Sequence, residues 1–181
     1  MMIAQQLKEK NIAEYLLYMW QIEDLIRANG CDMDLLQRQV IQQMPQAQQA
    51  EVTEWLANLV EMMRVEGVKE KGHLQINRNV LQNLMELHAA LLASTKYPFY
   101  NVAYFKALPF IVELRQKNGQ TDESELETCF QALYGLLLLR LQKKEISTGT
   151  AQAMEAISHF ISLLANYYDK EQKGELKELY E

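Results

Sequence analysis

An all-α fold follows from three features of this 181-residue sequence. Gly and Pro are scarce, at 7 and 3, which leaves little material for the many tight turns of a β-rich fold. Apolar residues recur at spacings of three and four along the chain, the period of a helix with one buried face. Strict alternation of apolar and polar residues, the mark of a half-buried strand, is absent. Hydrophobic residues make up 49% and charged residues 23%, a globular mixture with enough apolar side chains for one core. The expectation is a single helical domain over residues 1–168, an irregular antiparallel bundle of about seven helices with short connections. A charged tail, 169–181, follows as a frayed helix or disordered chain.

The elements follow in order. A first helix is expected from Ile3 to Asn29, stopped by Asn29-Gly30. Asp32 caps a shorter helix, Met33 to Met44, which Pro45 ends because proline disfavours helical geometry at the preceding residue. Val52, Trp55, Leu56, Leu59, Val60 and Met63 mark a helix from Gln46 to Val65. Gly67 and Gly72 bracket a turn, and Leu74 to Ser94 is helical again, with His73 at its start. Tyr97-Pro98 opens the next helix with proline in the first turn. That helix runs to Lys117, and its internal Pro109 predicts a kink near Phe105. Asp122 or Thr121 caps a helix to Glu145, and the last one spans Thr150 to Tyr168.

Charge and motifs exclude several functions. Lys and Arg total 18 against 24 Asp and Glu, a net charge of -6, and no basic cluster exceeds Lys143-Lys144. Phosphate neutralisation needs more than that, so no nucleic-acid partner is expected. The most apolar stretch, Gly135 to Leu139, is ended by Arg140 and is far short of the ~20 residues that span a bilayer, so no membrane role is expected. Two separated cysteines, Cys31 and Cys129, and the lack of a secretory pattern at the N-terminus predict reduced thiols and a cytoplasmic location. HExxH, a pair of ExxH motifs on two helices, DDxxD, GxGxxG, GxxxxGK[ST] and nucleophile-elbow patterns are all missing. No cofactor, metal ligand or catalytic residue is therefore expected.

A few polar residues sit inside apolar stripes. At ~100° per residue, Glu23 falls on the face formed by Ile12, Leu16, Met19, Ile22 and Ile26, with Arg27 one turn on. Arg140 falls within the stripe of Leu126, Phe130, Leu133 and Leu137. Asn77 and His88 share the face of Leu84 and Leu91, and Tyr100 and Tyr104 that of Leu108 and Ile111. An unpaired buried charge costs several kcal/mol, so these groups should be paired or line water. The expected arrangement is Glu23 meeting Arg140 or Arg27, with His88 and tyrosine hydroxyls completing a polar cluster. Two readings follow: an ion pair that fixes helix register, or a ligand pocket built from Glu23, Arg27, His88, Tyr104 and Arg140.

Three segments also carry a family resemblance. Asn11 to Arg27 (NIAEYLLYMWQIEDLIR), Gly72-His73-Leu74, and Ala132 to Leu141 (ALYGLLLLRL) resemble a domain-of-unknown-function family of proteins of this length from Bacteroides-type bacteria. The resemblance implies an all-helical single domain with no assigned activity, and it transfers no catalytic residue. The expected function is a helical interaction or scaffold protein without catalytic activity, acting as a homodimer or with another protein partner. The alternative is a small-molecule binder or metal-independent enzyme using the polar groups around Glu23, His88 and Arg140.

Overall fold

The computed structural model describes residues 2–119 and 122–181. They form eight α-helices and two short 3-10 turns, and no strand occurs among them. The predicted first helix is divided. Helix α1 covers Ile3–Lys10 and α2 covers Ile12–Ala28. At the break, the Asn11 side-chain oxygen accepts the Ala13 N–H at 3.0 Å. Asparagine competes for backbone donors in this way, and here local capping outweighs a continuous apolar pattern.

Asp32 caps α3 (Met33–Gln39) as predicted, its carboxylate accepting the Asp34 N–H at 2.8 Å. The helix stops before Met44, because Val40 leaves helical geometry and Ile41–Gln43 tighten into a 3-10 turn. Pro45 then precedes α4 (Gln46–Val65), which has the predicted bounds. Helices α5 (Gln75–Ala93) and α6 (Pro98–Asn118) follow, and α6 runs through Pro109 uninterrupted. Helix α7 (Glu125–Leu141) is capped by Ser124, which accepts the Glu127 N–H at 3.1 Å. Asp122 is therefore not the cap, and Thr121 lies outside the described residues. Helix α8 (Thr148–Gln172) starts on Ser147 and continues past Tyr168; a 3-10 turn, Lys177–Tyr180, follows.

The chain divides into two compact units, one formed by residues up to Glu9 with Glu14–Val80, the other by Lys10–Ala13 with Leu81–Glu181. In the first, α3 and α4 pack together, and Leu16, Met19, Ile26, Leu36, Ile41 and Met63 are sealed from solvent. In the second, α6, α7 and α8 pack on one another around Tyr100, Ile111, Phe130, Ile157, Phe160 and Leu164. Burying each large apolar side chain contributes ~1.5–3 kcal/mol. No helix among the described residues is long and apolar enough to cross a membrane.

Candidate functional sites: two polar clusters and a cleft

In the first unit, helix α2 presents Trp20, Glu23 and Arg27 on one side, three and four residues apart. Against them lies the connection between α4 and α5. Gly67 and Gly72 adopt φ of 71° and 95° there, a left-handed backbone that glycine tolerates without strain. Glu23 is 1% exposed. One carboxylate oxygen accepts the Leu74 N–H at 2.6 Å and the Asn77 side-chain amide at 3.2 Å. The other lies 2.7 Å from His73 Nδ1, and the His73 ring stacks on Trp20 at 4.3 Å between centroids. Leu74 and Asn77 belong to the start of α5, so the carboxylate also meets the positive end of that helix dipole.

Arg27 holds the other side of the connection. Its guanidinium donates to the Val68 carbonyl at 3.3 and 3.2 Å, to the Gly72 carbonyl, and to Asp24 at 3.1 Å. The Gln75 N–H donates to Glu66 at 3.3 Å. One carboxylate and one guanidinium on a single helix thus pair one N–H and two carbonyls of the connection's backbone, those of Leu74, Val68 and Gly72. The oxygen of the buried Asn77 amide has no hydrogen-bond partner. Turning that amide round would set two acceptors face to face at Glu23, so the orientation is fixed by the carboxylate.

The second unit carries a different cluster. His88, on α5, lies 2.6 Å through Nδ1 from the Tyr100 hydroxyl on α6. Its ring meets Tyr104 and Phe160 edge-on, at 4.9 and 5.4 Å between centroids. The Tyr104 hydroxyl donates to Glu125, on α7, at 2.6 Å. Burial pushes the His88 pKa down, with the Glu125 charge opposing it. Burial pushes both tyrosines far up, and for Tyr104 the hydrogen bond to Glu125 adds to the rise. The Cys129 thiol is raised in the same way, mainly by burial and then by Glu125. Imidazole, phenols and thiol are therefore held neutral, which removes the thiolate or phenolate a nucleophile would need.

These observations correct the expected cluster. Glu23 bonds His73, Leu74 and Asn77 and not Arg27, which takes loop carbonyls and Asp24. Arg140 is exposed, at the last turn of α7, so its place in the stripe of α7 does not bury it. Glu23 and Arg27 have their partners in the first unit, and His88 and Tyr104 have theirs in the second. His73 is the site residue missed: as a helix-start residue it gave no sign of meeting a glutamate fifty positions earlier. With three donors on a carboxylate that is 1% exposed, Glu23 offers no accessible lone pair for proton transfer to a solute. Among the described residues, no three His, Cys, Asp or Glu side chains are grouped to hold a metal ion.

A cleft of ≈ 290 Å³ opens elsewhere in the first unit, with Tyr18, Ile22, Leu25, Val52 and Trp55 among its walls. Gln48 and Glu51 also line it, whereas Glu23, Arg27, His88, Tyr104 and Arg140 do not. Comparison with known proteins adds one finding: the family model described as a domain of unknown function, DUF4924, matches residues 1–175. No curated protein and no solved structure matches the chain.

Proposed function

The chain belongs to the DUF4924 family, and from that premise we propose that it is a helical interaction protein whose contact surface is the outer face of α6 and whose partner is a second copy of itself. The support is a helix with exposed apolar residues opposite its buried face, interleaved with the exposed Lys106 and Glu113. Tyr100, Ala103, Tyr104, Ala107 and Ile111 are buried. On the opposite side Phe99, Val102, Phe105 and Val112 are 81%, 51%, 61% and 42% exposed, and Pro109 is exposed with them. At ~100° per residue these five side chains cover an arc of about 140°. Their exposed area is about 400 Å², within the size range of patches that mark interaction sites.

The stripe is self-complementary about its middle. A two-fold axis between Phe105 and Lys106 lays α6 antiparallel on its copy, with Phe99 level with Val112, Val102 with Pro109, and Phe105 with Lys106. Two such stripes and their polar rims bury roughly 1,000 Å², the low end of specific interfaces, so a micromolar dimer is expected. A cytoplasmic setting suits this reading, because the free thiols Cys31 and Cys129 persist in a reducing compartment. Sedimentation velocity over ~1–200 μM tests it. The wild-type mass should rise toward the dimer, while Phe99→Glu/Phe105→Glu, both at exposed positions, should stay monomeric with an unchanged melting temperature. A wild type that stays monomeric across the range, or a variant that dimerises equally well, overturns the proposal.

A further inference from the structure

We infer that the cleft of the first unit is a binding site for a small amphiphilic organic cation, an aromatic or branched aliphatic group carrying an amine. The inference rests on the cleft alone and not on the α6 surface. Ile22, Leu25, Val52 and Leu56 supply apolar walls from α2 and α4. Tyr18 and Trp55 add two aromatic rings, whose faces attract cations. Among the described lining residues, Glu51 carries the one charge. The side-chain polar groups of Tyr18, Gln48, Glu51 and Trp55 make no hydrogen bond to other described residues, so these four lining residues keep their polar groups free for a ligand, Gln48 and Glu51 from exposed positions. An apolar cleft with a few uncommitted polar groups is the usual form of a small-molecule site.

The sign of the ligand follows from Glu51. A carboxylate at an apolar wall repels an anion and leaves a neutral ligand without a charge partner, whereas an ammonium meets both the carboxylate and the ring faces. The net charge of -6 raises the local concentration of cations in the same sense. A volume of ≈ 290 Å³ admits roughly a dozen non-hydrogen atoms, and ligands of that size bind with Kd of roughly 0.1–1 mM.

The test uses three probes of matched shape: phenylbutylamine, phenylbutanol and phenylbutyrate. Each is titrated into the full chain by calorimetry, and the indole N–H resonances are followed by NMR. Trp55 lines the cleft, whereas Trp20 stacks on His73 and serves as an internal control. The amine should shift the Trp55 resonance and leave that of Trp20 in place, and it should bind about tenfold more tightly than the alcohol or the acid. Glu51→Gln, at an exposed position, should reduce amine affinity to that of the alcohol. Val52→Trp should fill the cleft and abolish all three. Equal binding of acid and amine, amine binding unaffected by Glu51→Gln, or no shift of Trp55 with any probe up to ~10 mM overturns the inference.

Discussion

Removing the Glu23 carboxylate should loosen the first unit at a defined place. In Glu23→Ala the Leu74 N–H and the Asn77 side-chain amide lose their acceptor in a site that is 1% exposed. Each buried donor left unpaired costs ~1–3 kcal/mol. The His73 ring loses a partner too, but its side chain is 29% exposed and rehydrates at lower cost. The sum is about 4 kcal/mol, in the range found when one partner of a buried ion pair is removed. For a chain of this length that lowers Tm by about 8–16 °C. Glu23→Gln keeps one acceptor oxygen and should cost about 1–2 kcal/mol. Thermal unfolding followed by circular dichroism measures both, and hydrogen exchange locates the effect: the Leu74 amide and the first turn of α5 should exchange faster while α8 does not. Arg140→Met, at an exposed position, is the control and should stay within ~0.5 kcal/mol of wild type. A Glu23→Ala protein that melts within ~1 kcal/mol of wild type would refute the clamp, as would one whose Leu74 amide keeps its protection.

Two further outcomes follow from the same geometry. Burial holds the folded His88 pKa below its ordinary value, so the unfolded chain binds more protons as pH falls through ~6.5. His88 therefore contributes no penalty above that pH, and stability is lost as pH drops from ~6.5 toward the lower folded pKa. Melting curves between about pH 7.5 and pH 5 should fall more steeply for wild type than for His88→Gln, and parallel curves would remove His88 as the cause. The glycines separate as well. Gly72→Ala forces a side chain onto φ 95° and within 3.3 Å of Val68 Cγ1, which should cost about 1–2 kcal/mol. Gly135→Ala, inside α7 with nothing within 4 Å of the added Cβ, should stabilise by about 0.5–1 kcal/mol. Denaturant melts that rank the two the other way would contradict the backbone assignments.

Much of the local structure was legible because it depends on neighbours a few residues apart. Asp32 caps α3 and α4 spans Gln46–Val65 as their sequences predict. The apolar period placed Glu23 in a buried face, and Glu23 and Asn77 are indeed 1% exposed. His88 is a half-buried histidine with a tyrosine partner, in keeping with a core role. The α7 cap is Ser124 and not the expected Asp122 or Thr121, although Ser124 and Glu127 stand three apart in the sequence, the spacing of a capping box. Arg140 shows the limit of a helical wheel, which gives direction around an axis and not depth along it. At the last turn of α7 the same direction meets solvent.

What the sequence determined by itself is the all-α class, most helix positions and the burial of Glu23, since propensity, capping and periodicity act over three or four residues. The tertiary structure alone decided who meets whom. His73 reaches Glu23 because the connection from Glu66 to Leu74 folds back onto α2, held by Arg27 and by two glycines at positive φ. Nothing local encodes a contact between residues fifty positions apart. Helix α6 makes the same point from the other direction. It carries apolar residues on two faces, the one of Tyr100, Tyr104 and Ile111 and the one of Phe99 and Phe105, and its packing against α7 and α8 decides that the first is buried and the second left in solvent.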